Sequence, residues 1–521
     1  MPTYLSPGVY VEEVEAGARP IEGVGTAVAA FVGFAAKGPF NTPTLVTNWA
    51  QYTQVFGDYV PDRYLAQSVY GYFLNGGTNC YVVRVGGERS NGDGQPAVDQ
   101  PAVGQPAVGQ PAVGQPAALG GYRFAAKRLD AGEITVEVAD AQGENPPEDR
   151  FVLLVKQDGK VVETHHVTTK RTKDNVVTVV REKSGLISVE ETSAAALARP
   201  DRGSVTLGNV PAAPPAPRAV AADDYVGDVA DRTGFGGLEA VEEITMVSVP
   251  DLMSSYRHGE IPLEAVQSVQ LAMIAHCELM GNRVAVLDPP PDLDPQRVKE
   301  WRLNGAGYDS KYAALYYPWI KVFDPASGDH LHVPPSGHVA GVWARTDGTR
   351  GVHKAPANEV VRGAVALETQ LTRAEQELLN PIGVNCVRSF PGRGIRVWGA
   401  RTLSSDPAWR YLNVRRLFNY LEESILNGTQ WVVFEPNDDA LWARVRRTIS
   451  AFLVTEWRKG ALFGLTPDEA FYVKCDRETN PAESIDLGQV VCEVGIAPVK
   501  PAEFVIFRLA QISGGTSLVN E

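Results

Sequence analysis

Strand-like and helix-like runs alternate along residues 244–324, and this alternation constrains the fold more than any other feature of the chain. Short apolar runs are separated by longer amphipathic runs that have helical spacing. In order they read ITMVSVPD, PLEAVQSVQLAMIAHCELMG, RVAVLDPP, DPQRVKEWRLNGAG and YAALYYPWIKVFD. Such alternation is typical of a parallel sheet with helices packed on its faces. The sequence therefore predicts an α/β layer in the middle of the chain.

Regular elements are also predicted on both sides of this layer. Before it, Val28–Phe34 and Cys80–Val85 are apolar enough for buried strands, and NWAQYTQVFGDY and YLAQSVYGYFLNGG are predicted helices. After it, helical spacing continues in EQELLN, VRRLFNYLEESILNG and DDALWARVRRTISAFLVTEWRKG. A closing strand is predicted in EFVIFRLAQI. The fold class that follows is α/β and α+β, in several domains.

A five-residue repeat, QPAVG, interrupts the chain between Gln95 and Ala117. Its prolines exclude a helix and its apolar content is too low for a core, so it is interpreted as a linker, or else as a proline-motif ligand for a partner domain. Strand-like runs follow in EITVEV, RFVLLVKQ, VVETHHVT and NVVTVV, and a Pro/Ala-rich stretch closes the region at Gly208–Tyr225. Two linkers around a β-rich module predict a domain inserted into a larger one.

The whole-chain numbers exclude several classes of protein. A length of 521 residues is too great for one core, and a formal charge of −14 argues against nucleic-acid or membrane-surface binding. Five scattered cysteines without a C-x-x-C pair indicate reduced thiols in a cytoplasmic protein. We expect neither a secretion signal nor a membrane span, since no run has the required length and flanks.

Three groups of polar residues are candidates for chemistry: His330, His332 and His338; Asp288, Asp292 and Asp294; and Asp251 with Ser254, Ser255 and His258. The histidines are interpreted as part of a solvated loop, because two prolines separate the third from the others. Asp288, Asp292 and Asp294 lie in a stretch of Asp-Pro turns. The group around Asp251 is a clustering of residue types that are common in any sequence. No phosphate-binding loop is present, and GRGIRVWGA does not supply one. We therefore predict no catalytic residues, metal or cofactor, and no enzyme.

The N-terminal stretch SPGVYVEEVE, from Ser6 to Glu15, alternates apolar and acidic residues as a half-buried strand does. Chain ends usually fray unless they are tied down by pairing. The strand needs a partner, and local sequence does not supply one.

Several long stretches resemble the tail sheath proteins of contractile phage tails and contractile injection systems. They are SPGVYVEEV, FVGFAAKGPFNTPTLVTNWAQYTQVFG, FLNGGTNCYVVRV, SGHVAGVWARTDGTRGVHKAPANEVVRGA, LNPIGVNCVRSFPGRGIRVWGARTL, YLNVRRLFNYLEESI, WVVFEPND and IDLGQVVCEVGIAPVKPAEFVIF. They stand in the family's order and span most of residues 1–85 and 235–510, whereas the repeat and the β-rich insertion fall outside them.

The resemblance implies a structural subunit that stacks as hexameric rings around an inner tube and contracts to drive that tube through an envelope. It also implies terminal arms that add strands to a neighbour's sheet. The expected donors are Val9, Tyr10, Val11 and Glu12 in the N-terminal arm and Phe504, Val505, Ile506 and Phe507 in the C-terminal arm. The alternative is that both arms pair within their own subunit.

The helix predicted from Asp438 to Lys459 has two faces. Leu441, Val445, Ile449 and Phe452 share one side, while Arg444, Arg447 and Arg458 cluster opposite. Those arginines form either an ordinary solvated face or, as the resemblance implies, a surface toward acidic patches on the tube. Glu456 falls among the apolar positions without an evident reason.

The predicted domains follow from these features. They are an N-terminal arm (1–20), the first part of the core (21–90), the QPAVG linker (91–118), the inserted β-rich outer domain with its Pro/Ala linker (119–225), an α/β middle domain (226–380), a C-terminal domain facing the tube (381–500) and a C-terminal arm (501–521). The expected partners are further copies, the inner tube protein, and baseplate and terminator or cap proteins, with no nucleic acid and no membrane insertion. Assembly is expected in the cytoplasm, and the particle either stays inside the cell or is released. Second and third interpretations are a non-contractile tube or shell protein and an α/β hydrolytic enzyme with an accessory β domain.

Overall fold

The computed structural model describes residues 20–86, 117–119, 122–127, 134–141, 147, 149–157, 160–191, 200, 202–207, 221–325 and 327–508. The first of these segments contains five elements: β1 (Val28–Gly33), β2 (Thr44–Val46), α1 (Trp49–Phe56), α2 (Leu65–Asn75) and β3 (Asn79–Arg84). β1, α1, α2 and β3 agree with the predicted strands and helices of this region to within a few residues, whereas β2 was not predicted. The QPAVG tract up to Pro116 and the first arm up to Arg19, including Val9–Glu12, lie outside the described residues, and the last residue of the tract, Ala117, begins β4.

The insertion forms a compact unit of its own within residues 89–218. Its elements are β4 (Ala117–Leu119), β5 (Tyr122–Ala126), β6 (Ile134–Asp140), β7 (Arg150–Gln157), β8 (Lys160–Thr168), α3 (Val176–Lys183), β9 (Ile187–Glu191) and β10 (Gly203–Leu207). The strands form an antiparallel sheet in the order β10-β6-β7-β8 and a smaller one in the order β4-β5-β9. Alternate residues of β6 point into its core, as the period-2 pattern predicts.

The strand predicted in NVVTVV is wrong, because this segment is helix α3. The Asn175 side chain caps the helix by accepting a hydrogen bond from Val177 N. Val176, Val179 and Val180 are buried together, at helical spacing. The β-branched composition suggested a strand, but the cap and this spacing decide for a helix.

The remaining chain, with the first segment, forms the second compact unit. Its further elements are α4 (Ala222–Val226), β11 (Met246–Ser248), α5 (Asp251–Arg257), α6 (Leu263–Met280), β12 (Val284–Leu287), α7 (Pro295–Glu300), β13 (Ala313–Tyr317), β14 (Ile320–Asp324), β15 (Asp329–Val333), α8 (Ser336–Arg350), β16 (Glu359–Val360), β17 (Ala364–Leu367), α9 (Arg373–Leu379), β18 (Val384–Phe390), β19 (Gly394–Val397), α10 (Leu412–Gly428), α11 (Asp439–Arg458), α12 (Pro467–Ala470), β20 (Phe471–Lys474), α13 (Ala482–Asp486) and β21 (Glu493–Ile496).

A nine-stranded sheet is the centre of this unit, in the order β16-β19-β18-β13-β12-β11-β1-β3-β2. The strands from β18 to β3 run parallel to their neighbours, and the outer ones are antiparallel. β1, β11, β12 and β13 are buried along their whole length, as expected when helices cover both faces. The predicted mixed α/β fold is confirmed. The sheet continues past residue 380 to Val397, and the domain limits drawn from the sequence remain predictions.

The single strand predicted in YAALYYPWIKVFD is divided into β13 and β14 at Pro318. Proline has no backbone N–H for the ladder, so a central strand ends there. β14 instead joins a three-stranded sheet in the order β15-β14-β17. The helix predicted next to it, in DPQRVKEWRLNGAG, is confirmed as α7 and continues as a π-helical turn, Trp301–Ala306.

We call residues 412–503 the C-terminal subdomain. Its core lies between α10, α11 and the two-stranded sheet β20–β21, and is separate from the core of the large sheet. Asp438 caps α11 by accepting a hydrogen bond from Leu441 N, and Gly460 follows with a positive φ of 83°. This helix was predicted with both ends correct. Across the described residues no helix combines the length and apolar content that a bilayer crossing needs.

Candidate functional site

Open α/β sheets usually bind ligands at the carboxyl ends of their strands, where neighbouring connections diverge. In this sheet the corresponding crevice lies beyond β1 and β11, and Asp251 fills it. The Asp251 carboxylate accepts hydrogen bonds from Phe34 N at 2.6 Å, Leu65 N at 3.2 Å and Tyr64 N. These backbone donors face the place where an anionic ligand binds in related architectures. Here the chain's own carboxylate occupies it.

Burial raises the pKa of Asp251 to about 6, although the three backbone donors and Arg63 oppose that shift. Arg63 itself forms an ion pair with Glu260 at 2.6 Å. The positive charge of Arg63, which acts on Asp251, is therefore already balanced by the Glu260 carboxylate. The arrangement ties β1 and α2 to α5 and is structural in character.

The serines near Asp251 do not form a catalytic relay. Ser254 Oγ donates to Asp62 O at 2.6 Å, and Ser255 Oγ donates to Glu260 at 2.6 Å. His258 Nδ1 donates to Ser254 O at 2.8 Å, so the histidine contacts a carbonyl rather than a hydroxyl. A Ser-His relay needs the imidazole within hydrogen-bond reach of the serine oxygen, and the Glu260 carboxylate that accepts from Ser255 is already paired with Arg63.

The solvated loop predicted for the three histidines is wrong. His330 and His332 lie on strand β15, whereas His338 lies on α8 and is only 2% exposed. Burial lowers the pKa of His338 to about 4. Within the described residues, no three His, Cys, Asp or Glu side chains group as a metal site requires.

The aspartates of LDPPPDLDP also have separate structural positions. Asp288 is buried at the end of β12, where it accepts a hydrogen bond from Ser336 N at 3.0 Å. Burial raises its pKa to about 7, against the hydrogen bonds from Ser336. Asp294 caps α7 by accepting from Arg297 N at 2.9 Å. The polar groups predicted from the sequence thus have structural roles, and the candidate functional site lies at the surface of the C-terminal subdomain.

The sheet β20–β21 has unpaired edges: among the described strands, each of the two pairs with the other alone. Its inner face packs on α11 through Phe471 and Val473, while Tyr472 on the outer face is 59% exposed. A sheet of two strands is marginally stable and presents unpaired backbone groups for further strands. It can accept additional strands from another chain.

The C-terminal arm follows β21 in the chain, and Glu503 fixes its point of departure. The carboxylate accepts hydrogen bonds from Arg401 Nε at 2.8 Å, Arg401 Nη2 at 2.6 Å and Asn380 Nδ2 at 2.7 Å, with Tyr411 OH at 3.3 Å. Burial alone raises the pKa of Glu503, but the bonds from Arg401 and Asn380 outweigh it and leave the pKa lowered. The arm therefore has a fixed root.

Beyond that root, four consecutive apolar side chains are exposed: Phe504 by 72%, Val505 by 68%, Ile506 by 80% and Phe507 by 84%. Residues 503–508 form no strand within the described chain, so the strand predicted in EFVIFRLAQI is not formed there within the subunit. Exposed apolar runs of this kind mark contact surfaces. The assignment of these four residues as strand donors remains a prediction.

The N-terminal segment also starts on the C-terminal subdomain before it enters the large sheet. Ile21 lies against Gly428 of α10, where any side chain would collide with it. Val24 N donates to Ser424 Oγ at 3.1 Å. The described N-terminal end is thus attached to the C-terminal subdomain, whereas Glu503 at the other end is held by residues that precede this subdomain in the chain.

A buried ion pair joins this subdomain to the large sheet's layer. Arg416 on α10 donates to both Asp347 oxygens on α8, at 2.9 and 2.5 Å, and to Thr26 O at 3.0 Å. Thr26 Oγ1 donates back to Asp347 at 2.7 Å. The side chains of Arg416 and Asp347 are 3% and 4% exposed. We call these three residues the joint.

The arginines predicted to face a tube have different environments. Arg444 is half-buried, paired with Glu435 at 2.7 Å and placed over the Trp431 ring at 5.0 Å. Arg447 and Arg458 are exposed, and neither has an ion pair with any described residue. Glu456, which the sequence left unexplained, is buried and bonds to Lys459 and the Tyr420 hydroxyl.

The crevice of the large sheet is filled by Asp251, and the sheet β20–β21 has edges that can accept further strands. The chain matches the phage tail sheath protein central domain over residues 238–403 and the phage tail sheath C-terminal domain over residues 404–512, together more than half of its length. It belongs to the phage tail sheath protein family.

Two curated relatives show how far the similarity extends. The tail sheath protein of Burkholderia phage BcepMu is 24% identical over 95% of this chain and 94% of its own. That of Vibrio phage KVP40 is 29% identical over 40% of this chain, which thus spans only 31% of that longer relative. Among solved structures, the anti-feeding prophage helical sheath in its contracted state matches 98% of this chain and 100% of its own, with 25% identity and a TM-score of 0.57.

Proposed function

We propose that this protein is the subunit of a contractile sheath that stacks as hexameric rings around an inner tube and contracts to drive the tube through a target envelope. The observation that carries the proposal is the end-to-end match to a sheath solved in its contracted state. The filled crevice at Asp251 supports a role without turnover, and no cofactor or metal enters the proposal.

Connection between subunits is assigned to strand exchange. The N-terminal arm, with donors Val9, Tyr10, Val11 and Glu12, and the C-terminal arm, with donors Phe504, Val505, Ile506 and Phe507, add to the open edges of β20–β21 in neighbouring copies. Each backbone hydrogen bond contributes only about 1 kcal/mol net, but several bonds per arm keep a lattice connected while compact domains rotate. The exposed side chains of the C-terminal arm and its fixed root at Glu503 support this assignment.

The inner surface of the sheath is assigned to α11. Arg447 and Arg458 are available for acidic partners on the tube, whereas Arg444 is already engaged with Glu435 and serves mainly to hold the preceding loop. Exposed ion pairs are individually weak and salt-sensitive, which suits contacts that must separate on contraction. The solvated-face interpretation predicts no effect of these residues on assembly.

The partners in this proposal are further copies of the chain, an inner tube protein, and baseplate and terminator or cap proteins. Neither nucleic acid nor membrane insertion has a part in it. Assembly takes place in the cytoplasm, and the domain limits drawn from the sequence, with the insertion outermost, are retained. A non-contractile tube or shell protein is the second candidate, since it also explains the open edges.

The test removes residues 504–521 and leaves Glu503 in place. Because the deleted arm contacts a neighbour in this proposal, the isolated subunit should keep its melting temperature while long sheaths disappear from electron micrographs of co-expressed tube and sheath. Phe323→Ser, which changes a 54% exposed aromatic residue on β14, is the matched control and should assemble normally. A truncated subunit that unfolds alone, or one that still forms long sheaths, contradicts the arm assignment.

Contraction has its own readout. Wild-type sheaths should occur in two lengths around tubes of one length, and the short form should be wider. Sheaths of a single length under all conditions, including mild denaturant, would select the non-contractile alternative.

A further inference from the structure

Two of the five cysteines face each other at the end of the sheet β20–β21. Cys475 directly follows β20, and Cys492 directly precedes β21. In the antiparallel register Lys474 is opposite Glu493, so the next step places Cys475 opposite Cys492. This pair is not evident from the sequence, because sixteen residues separate the two cysteines.

The register also shows which kind of facing pair the cysteines form. Ala497 N donates to Ala470 O at 2.8 Å, so these facing residues are a hydrogen-bonded pair. The ladder ends at Lys474–Glu493, and its alternation, continued by one step, makes Cys475–Cys492 a position of the non-hydrogen-bonded kind, for which Cα atoms are typically about 4.5 Å apart. Disulfides span Cα distances of about 4.4 to 6.8 Å. The backbone therefore needs little movement to join the two sulfurs.

The side chains meet on the inner face of the sheet. Cys475 is fully buried and Cys492 half-buried, and the two thiols share a hydrogen bond. Arg446 Nη1, from α11, donates to Cys475 O at 3.3 Å. The other cysteines, Cys80, Cys277 and Cys386, are buried in the separate core of the large sheet. Cys492 is thus the thiol that a small molecule reaches first.

We propose that Cys475 and Cys492 form a reversible disulfide that fastens β20 to β21 when the protein meets a low-molecular-weight disulfide such as oxidised glutathione. The Cys492 thiolate attacks one sulfur of oxidised glutathione, which breaks its S–S bond and releases one glutathione thiolate. The Cys475 thiolate then attacks the Cys492 sulfur and releases the second glutathione. The two cysteines are oxidised, oxidised glutathione is reduced to two thiols, and the two cysteine protons end on those thiols.

The surroundings determine how fast this exchange runs. Burial raises the pKa of Cys492 to about 12, and it also raises the pKa of Cys475. The negative charge of Glu493 raises the pKa of Cys492 further, and that of Asp476 does the same for Cys475. The positive charge of Arg446 opposes both shifts. Because the thiolate is the attacking species, the pair stays reduced at neutral pH over short times. Closure should become about tenfold faster for each pH unit between 7 and 9.

The experiment uses the full-length subunit, reduced, desalted and incubated with oxidised glutathione at pH 7, 8 and 9. Peptide mapping should find one intramolecular crosslink between the peptides of Cys475 and Cys492, formed with the stated pH dependence. The melting transition of the C-terminal subdomain should rise by several degrees and return on addition of dithiothreitol. Cys492→Ser should lose the crosslink and the shift, and Cys277→Ala, a buried cysteine of the other core, should keep both.

Stable glutathione on Cys492 without closure overturns the proposal, as does a folded protein that forms no crosslink at pH 9. A crosslink that persists in Cys492→Ser would assign it to other cysteines and also overturns it. Melting of the reduced Cys492→Ser subunit at the wild-type temperature verifies that this variant is folded. The result does not depend on sheath assembly, so it is separable from the test of the proposed function.

Discussion

Replacing Asp347 by alanine should destabilise the protein more than most single substitutions, because it breaks the joint. The side chains of Asp347 and Arg416 are 4% and 3% exposed, and the change removes both carboxylate acceptors of the guanidinium. Among the residues that the structure describes, Arg416 then keeps Thr26 O as its one hydrogen-bond acceptor, and its guanidinium stays over the Trp343 ring at 4.8 Å. Removing one partner of a buried pair typically costs about 3–5 kcal/mol, so we expect a loss of that size in the free energy of unfolding.

Urea denaturation of the purified subunit measures this loss, followed by tryptophan fluorescence. The matched control is Glu377→Ala, which breaks the ion pair of Glu377 with Arg373 on α9, where the side chains are 63% and 89% exposed. That change should cost at most about 0.5 kcal/mol. If Asp347→Ala costs less than about 1 kcal/mol, solvent reaches the joint and the reasoning from burial is refuted.

Three further predictions concern the rest of the chain. Changing Arg447 and Arg458 to glutamate should leave the melting temperature of the subunit unchanged, since both side chains are exposed. It should prevent sheaths from forming around tubes in electron micrographs, whereas normal sheaths would favour the interpretation of these arginines as an ordinary solvated face. Burial raises the pKa of Asp288 from an ordinary value of 3.8 to about 7, so its contribution to stability should fall as pH rises from about 4 to 7, by roughly 4 kcal/mol at most. Urea titrations of wild type and Asp288→Asn across this range should differ by that amount, since Asp251, with a pKa of about 6, titrates in both proteins. Deleting Gln95–Ala117 should leave sheath assembly intact, and its loss in micrographs would show that the repeat is a structural contact.

The sequence predicted the regular elements best where burial is periodic along one segment. α6, with Gly281 after its last turn, and α11, with Asp438 before its first, have both a pattern and a cap, and both were located correctly. The pattern failed in NVVTVV, where β-branched residues favoured a strand and only the Asn175 cap indicated a helix. Local signals of similar strength compete in such short segments, and tertiary packing decides between them.

The polar contacts at the candidate surface could not be predicted, because their partners are far apart in the chain. Glu503 is 102 residues from Arg401, and Thr26 is 321 residues from Asp347. Nothing in the sequence around any of these four residues distinguishes it from an ordinary surface side chain. Asp251 gave a weak signal, since it follows a predicted strand directly at the edge where crevices form. Its hydrogen bonds to residues 34, 64 and 65 became visible in the structure alone.

The two described ends of the chain are held at different places, and this has a mechanical consequence. A pull on the arm beyond Glu503 reaches Arg401, whose backbone is bonded to the Asn385 side chain on β18, so that tension enters the large sheet directly. A pull on the segment before Ile21 reaches α10 first, and it passes to the large sheet through the joint and the adjoining chain. The insertion, which leaves the chain after β3 and returns before α4, lies on neither route. In the proposed sheath its size and sequence can therefore change without weakening the routes by which force passes from copy to copy.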